Sequence, residues 1–391
     1  MLTTINAVRP MASYRALALD ATPLEIGLLA ASFAAFSLLV AVPAGRWIDR
    51  VGEARFLVLG TALILASVTA MIWVDTIPLL LATQAVLGLG HIINIIAAQT
   101  MIANRTPAEG RDGRYGAYAV AASVGQLIGP ISAGILAGGN PTTGGDGVAT
   151  TPVFMAAVVV ACPALLLAVS LLVSMPGRSR NAPLPSEHGY LRSAIEILRM
   201  PTMLPAMLIS VGVILTIDLL VAYLPVYGVE RGLPVALVGA LLSVRAASSM
   251  ASRLAMAPLI RRLGRARLLY GSAALAGISL ALVPMVDDAW VLAALMATAG
   301  LGLGLGQPMT IAWVAGRAPR SLRATALALR LSGNRLGQLT IPALVGMGAG
   351  IAGLGIVFWS MAGILLASSI VVLRTPFDGD EAAEPADPEA G

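Results

Sequence analysis

Residues 45–55 read Gly45-Arg46-Trp47-Ile48-Asp49-Arg50-Val51-Gly52-Glu53-Ala54-Arg55, and residues 258–267 read Pro258-Leu259-Ile260-Arg261-Arg262-Leu263-Gly264-Arg265-Ala266-Arg267. Set 212 positions apart, Arg50 falls on Arg262, Gly52 on Gly264 and Arg55 on Arg267. The same offset carries Gly27 to Gly239, Asp75 to Asp287, and Gly88 and Gly90 to Gly300 and Gly302. It also carries Arg105 and Pro107 to Arg317 and Pro319. Gly125, Gln126, Pro130 and Gly134 meet Gly337, Gln338, Pro342 and Gly346. A unit of this length is not a solenoid repeat of roughly 20–50 residues. It is a duplicated half-protein.

The solvent of both halves is lipid. Of 391 residues, 58% are hydrophobic and 12% charged, and the mean hydropathy is +0.86. Soluble domains carry about 25% charged residues. Apolar stretches recur at 24–44, 56–74, 78–103, 115–137 and 152–173, then at 202–224, 236–257, 268–286, 289–313, 323–346 and 351–373. Each approaches the roughly 20 residues that a helix needs to span a bilayer. Continuous apolar runs exclude the alternating pattern of a β-barrel, so the spans are helical. The partner of 202–224 would run from about −10 to 12, so a shortened first helix is expected, with Asn6 equivalent to Asp218.

All 25 basic residues are Arg, which with the abundant Ala and Gly suggests a GC-rich bacterial genome. One set of alternate loops holds 18 of them, including Arg46, Arg50, Arg55, Arg105, Arg261, Arg262 and Arg317. The opposite loops hold only Arg15 and Arg231. Basic loops stay cytoplasmic, so both termini are expected there, and the basic pI reflects topology rather than nucleic-acid binding. Residues 174–201, with Pro176, Pro183 and Pro185 ahead of the amphipathic run Tyr190 to Leu198, read as a cytoplasmic linker. The expected units are a bundle at 1–173, this linker, a bundle at 202–374 and an acidic, disordered tail at 375–391. The single cysteine, Cys162, allows no internal disulfide, and no metal or cofactor site is expected.

Gly45, Asp49, Arg50 and Gly52, with Arg55 one place late, resemble the loop signature G-x-x-x-D-R-x-G-R/K-R/K of the major facilitator superfamily. That resemblance implies an all-α integral membrane fold of two six-helix bundles related by a pseudo-twofold axis. Glu53 and Ala54 depart from the signature, and Arg261 stands where the second half would repeat Asp49. Such a loop implies a cytoplasmic gate; its plainer reading is a solvated turn. Gly116, Gly125, Gly129, Pro130 and Gly134 resemble the antiporter motif of the superfamily's proton-coupled drug exporters, with Ala133 replacing one glycine. Close helix packing is the alternative reading of the same glycines. Gln84 stands four residues before Gly88, where proton-coupled members often carry Arg.

Ionisable groups inside spans mark pathways. Asp218 is the acid within a span, and Arg245 on the next helix is its expected partner. It reads either as a proton carrier or as half of a static ion pair. Gln84 and His91 share one face of their helix with Asn94 flanking, and Arg330, Asn334 and Gln338 stack at i, i+4 and i+8 beside Arg335. Arg9, Arg245, Arg330 and Arg335 outnumber Asp218, which leans the cargo toward organic anions. A monomeric, multi-pass secondary transporter of the cell membrane is expected, exporting a small organic solute in exchange for protons. The alternative is proton-linked uptake of an anionic metabolite. No catalytic constellation, phosphate loop or metal spacing supports an enzyme.

Overall fold

The computed structural model describes residues 1–106, 108–138, 147–174, 190–200, 203–318 and 322–374. The first half holds α1 (Leu2–Leu17), α2 (Pro23–Val51), α3 (Glu53–Ala70), α4 (Ile77–Arg105), α5 (Ala108–Ala137) and α6 (Thr150–Ser174). Helix α7 (Tyr190–Arg199) precedes α8 (Met203–Glu230), α9 (Val235–Leu254), α10 (Met256–Leu263), α11 (Arg265–Leu282), α12 (Ala289–Arg317), α13 (Arg323–Ala352) and α14 (Gly355–Leu373). Among the described residues, nine of these helices are long and apolar enough to cross a membrane. The fold is an all-α, multi-span membrane fold. Most of the linker expected at 174–201, the tail, and the surroundings of Gly45, Asp49 and Arg50 lie outside what the structure describes.

Two turns explain why the repeated motif needs glycine. Gly52 separates α2 from α3 with φ 98°, and Gly264 separates α10 from α11 with φ 77°. A Cβ is disfavoured in that region of backbone space, so the two equivalent positions keep Gly. The halves differ beside that turn. α2 runs unbroken to Val51, whereas its counterpart breaks at Ala255 into α9 and α10. Helix α1 has 16 residues against 28 in α8.

Burial ranks the helices by position. In α8, 78% of the apolar window is buried; in α6, 17%. Helix α8 is therefore central, and α6 turns Val159, Leu166, Leu167 and Val173 outward. In water those side chains would be costly; in lipid they meet their like. One apolar core joins Ala12, Ile26 and Leu29 of the first half to Ile209, Leu219 and Tyr223 of α8. A second gathers Tyr14, Phe33, Ile64 and Phe154 of the first half and reaches Val235 of α9.

The first and second halves meet through glycine. A Cβ on Gly27 would overlap the carbonyl oxygen of Pro342, and one on Gly239 would overlap that of Pro130. A Cβ on Gly346 would stand 2.5 Å from Pro23 O, and one on Gly134 would stand 2.8 Å from Val235 O. Each contact is the 212-residue image of the other in its pair, because Gly27, Pro130, Pro23 and Gly134 map to Gly239, Pro342, Val235 and Gly346. All four lie at the arginine-poor ends of α2, α5, α9 and α13. Tyr223 Oη adds a hydrogen bond to Pro23 O at 2.8 Å.

Candidate functional site

Helix α8 packs against helices of both halves, so Asp218 near its middle can be reached from both. Asp218 is 6% exposed. Arg9 Nη1 of α1 donates to its Oδ1 at 2.8 Å. Gln338 Nε2 of α13 donates to its Oδ2. The same amide accepts from Arg335 Nη1 through its Oε1 at 2.9 Å. On the far side, the Arg9 guanidinium stacks 4.1 Å from the centre of the Phe33 ring, and Phe33 lies 5.6 Å from the His91 ring. A continuous row therefore runs Arg335–Gln338–Asp218–Arg9–Phe33–His91 over α13, α8, α1, α2 and α4. It holds one acid and two arginines.

This row corrects the expected pairing of Asp218 with Arg245. Arg9 takes that place, from a helix 209 residues away. Arg245 is buried, and its Nε has no hydrogen-bond partner among the described residues. The repeat supplies the reason. Arg245 is the 212-residue image of Phe33, and the backbone of each cradles a glycine of the neighbouring helix, Gly300 and Gly88 respectively. That register holds Arg245 beside α12.

Asn6, the sequence equivalent of Asp218, stays local. Its Nδ2 donates to Leu2 O at 2.8 Å, and its Cβ packs against Gly129. Gln84 is buried and shares the wall of a small cavity with Arg9 and Ser13. His91 and Asn94 border a second cavity of about 330 Å³ with Ile5, Ile64 and Tyr118. Asn94 also donates to Thr61 Oγ1 at 2.8 Å.

A second polar cluster gathers Arg330 and Asn334 of α13 with residues that sequence reading missed. Arg330 Nη1 donates to Ser210 Oγ of α8, and to Gln307 Oε1 of α12 at 3.1 Å. Ser210 Oγ donates to Asn334 Oδ1 at 3.0 Å, and Gln307 Nε2 donates to Ser210 O at 2.8 Å. Gln307 is a lone amide in an apolar, glycine-rich run, a signal that could have marked it.

Near the arginine-rich ends, Arg55 is exposed. Glu53, the departure from the loop signature, is buried and pairs with Arg105 Nη2 at 3.6 Å. The antiporter-like motif divides between two roles. Gly125 and Gly129 seat α1, Gly134 and the Pro130 carbonyl seat α9, and a Cβ on Gly116 would meet open space.

A multi-span helical fold whose buried charges lie on the helices where its two repeats meet fits a secondary transporter for small organic solutes. A family model described as the Major Facilitator Superfamily matches residues 1–304 and 232–390. The chain belongs to that superfamily, and its members are transporters rather than enzymes. No curated protein matches the sequence. Among solved structures it resembles a mutant of the nucleoside transporter NupG, with 12% identity, a TM-score of 0.76, and 95% of this chain and 97% of that one covered. It also resembles a POT family transporter in complex with 5-aminolevulinic acid, and another with a thioalcohol-conjugated peptide. Each of these has 13% identity, a TM-score of 0.72, and coverage of 95% of this chain and 94% of that one.

These comparisons overturn the expectation of an exporting antiporter. The three similar structures are a nucleoside transporter and two POT family transporters, one in complex with 5-aminolevulinic acid and one with a peptide conjugate. Within the glycine motif behind that expectation, Gly125 and Gly129 pack against α1 and Gly134 against α9.

Proposed function

We propose that the chain is a proton-linked uptake carrier of a small organic anion. The observation that carries this reading is the clasp on Asp218, a buried acid near the middle of α8 held by Arg9 and Gln338 with Arg335 behind the amide. While Asp218 is ionised, the clasp ties α1 to α8 and α13. A proton on Asp218 cancels its attraction to Arg9 and removes an acceptor from Gln338. Arg9 and Arg335 then add to the uncompensated positive charge within the spans, which an organic anion bound there offsets. Proton and anion each favour the other's binding, and such coupling is reciprocal. The loaded carrier bears no added net charge, and the same central site opens alternately to the two sides.

The architecture we infer is two six-helix bundles, 1–173 and 202–374, about a pseudo-twofold axis along the membrane normal, joined by the linker at 174–201. The reciprocal contacts Gly27–Pro342 and Gly239–Pro130 support that symmetry. The arginine-rich ends, and with them both termini, are cytoplasmic by the basic-residue bias. The reciprocal glycine contacts then seal the outer face, and Gly45, Asp49, Arg50, Gly52 and Arg55 form the inner gate.

Reconstituted vesicles with an imposed inward proton gradient test the reading against a library of small organic acids. Accumulation should collapse with a protonophore. Asp218→Asn should abolish accumulation yet keep exchange of labelled for unlabelled substrate. Accumulation by Asp218→Asn at the parent level would place the proton elsewhere and overturn the assignment.

A further inference from the structure

The cluster around Arg330 contains a cation that its neighbours do not require. Arg330 is 7% exposed, and no carboxylate pairs with it among the described residues. A buried charge without a counter-charge costs several kcal/mol, even after relaxation. Its neutral partners already satisfy one another. Ser210 gives its hydroxyl proton to Asn334, and Gln307 gives an amide proton to Ser210 O. Those two bonds orient two acceptors, Ser210 Oγ and Gln307 Oε1, onto one nitrogen of the guanidinium, Nη1. Stability alone would be served as well by an uncharged residue.

A guanidinium offers five N–H donors in a planar fork. Fixing Nη1 from two directions sets the plane and leaves the opposite edge, Nε and Nη2, without a hydrogen bond among the described residues. That edge also differs from Arg245 Nε and Arg335 Nε, which are sealed as well as unpartnered. An Nε–Nη2 edge matches the two oxygens of a carboxylate in parallel, the geometry in which such pairs are strongest. Asn334, one turn further along α13, has its Oδ1 engaged and its amide donor left over. The 212-residue image of Arg330 is Tyr118, in the wall of the cavity of about 330 Å³ beside His91 and Asn94.

We infer that Arg330, held by Ser210 and Gln307 and flanked by Asn334, is an anion subsite that grips the carboxylate of the transported molecule by its Nε–Nη2 edge. This rests on the anion-uptake reading and names a group that recognises the cargo. It is separate from the Asp218 clasp, which lies two helical turns further along α13, about 12 Å at 1.5 Å per residue. The class of ligand is a small carboxylic acid rather than its amide, because an amide offers one acceptor and a donor that would oppose the fork.

Melting of the purified full chain, followed with a panel of small carboxylic acids and their matched primary amides (butyrate and butyramide, benzoate and benzamide, succinate and succinamide), provides the test. At least one acid should stabilise the protein where its amide does not. Arg330→Gln should weaken that acid at least tenfold, with Arg330→Lys in between because it keeps charge without the fork. Asn334→Asp guards against a folding defect, since it places a carboxylate beside the fork. It should raise the melting temperature of the ligand-free protein and abolish stabilisation by the acid. Equal acid affinity in Arg330→Gln and the parent would overturn the subsite while leaving anion uptake standing. An absence of any acid-over-amide preference in the parent would sink both.

Discussion

Arg9 and Asp218 meet at 2.8 Å across 209 residues of chain, and each contributes a charge that the other half of the repeat lacks. The equivalent of Asp218 is the neutral Asn6, and the equivalent of Arg9 is Val221. Removing one partner of a buried pair costs about 3–5 kcal/mol. Arg9→Ala should therefore lower the melting temperature sharply, and Asp218→Asn added to Arg9→Ala should recover much of the loss. A double-mutant cycle measures this coupling. Arg245 should show weaker coupling to Asp218; a larger value for Arg245 than for Arg9 would contradict the geometry.

The reciprocal glycine contacts yield a graded series. Gly27→Ala and Gly239→Ala each push a methyl group into a proline carbonyl of the other half, where neither backbone can yield cheaply. Overpacking of this kind costs about 1–3 kcal/mol. Both variants should lose stability and favour states in which that end is parted, read as faster labelling of a cysteine placed near Pro23. Gly116→Ala, which meets open space, should behave like the parent. Comparable losses at Gly116 would mean that the close contacts do not set the effect, since Ala is otherwise the better helix former.

The inner-gate reading concerns rate more than affinity. Asp49→Asn should slow turnover several-fold while substrate still protects the protein against heat. Loss of both together would point to a folding defect or a direct role in binding.

The duplication was legible because polar punctuation (Arg50, Gly52, Pro130 and Gly134) survives at fixed spacing against an apolar background. Positive φ at Gly52 and Gly264 gives the physical cause of that persistence for one pair. Asp218 stood out as an acid in lipid. Its partner did not, because helical periodicity reports faces within a helix and says nothing of which distant helix faces it. Arg245 was nearer in sequence, but its register holds it beside Gly300. Gln307 and Ser210 escaped notice for a related reason: a single polar residue acquires meaning only when Arg330 arrives from another helix. The glycines of α5 misled in the opposite direction, since a packing surface and a transport signature are written with the same small residues.

The paired contacts Gly27–Pro342 and Gly239–Pro130 carry a historical consequence. A surface that binds its own image needs only one kind of half, as in an isologous dimer. An ancestral unit of about half this length could have closed that face simply by meeting a second copy of itself. Fusion then freed each copy to drift where the match was not needed. The drift is visible as Phe33 against Arg245, Asn6 against Asp218 and Tyr118 against Arg330. The contact has kept its inheritance in common, and the charges have gathered mainly in one heir.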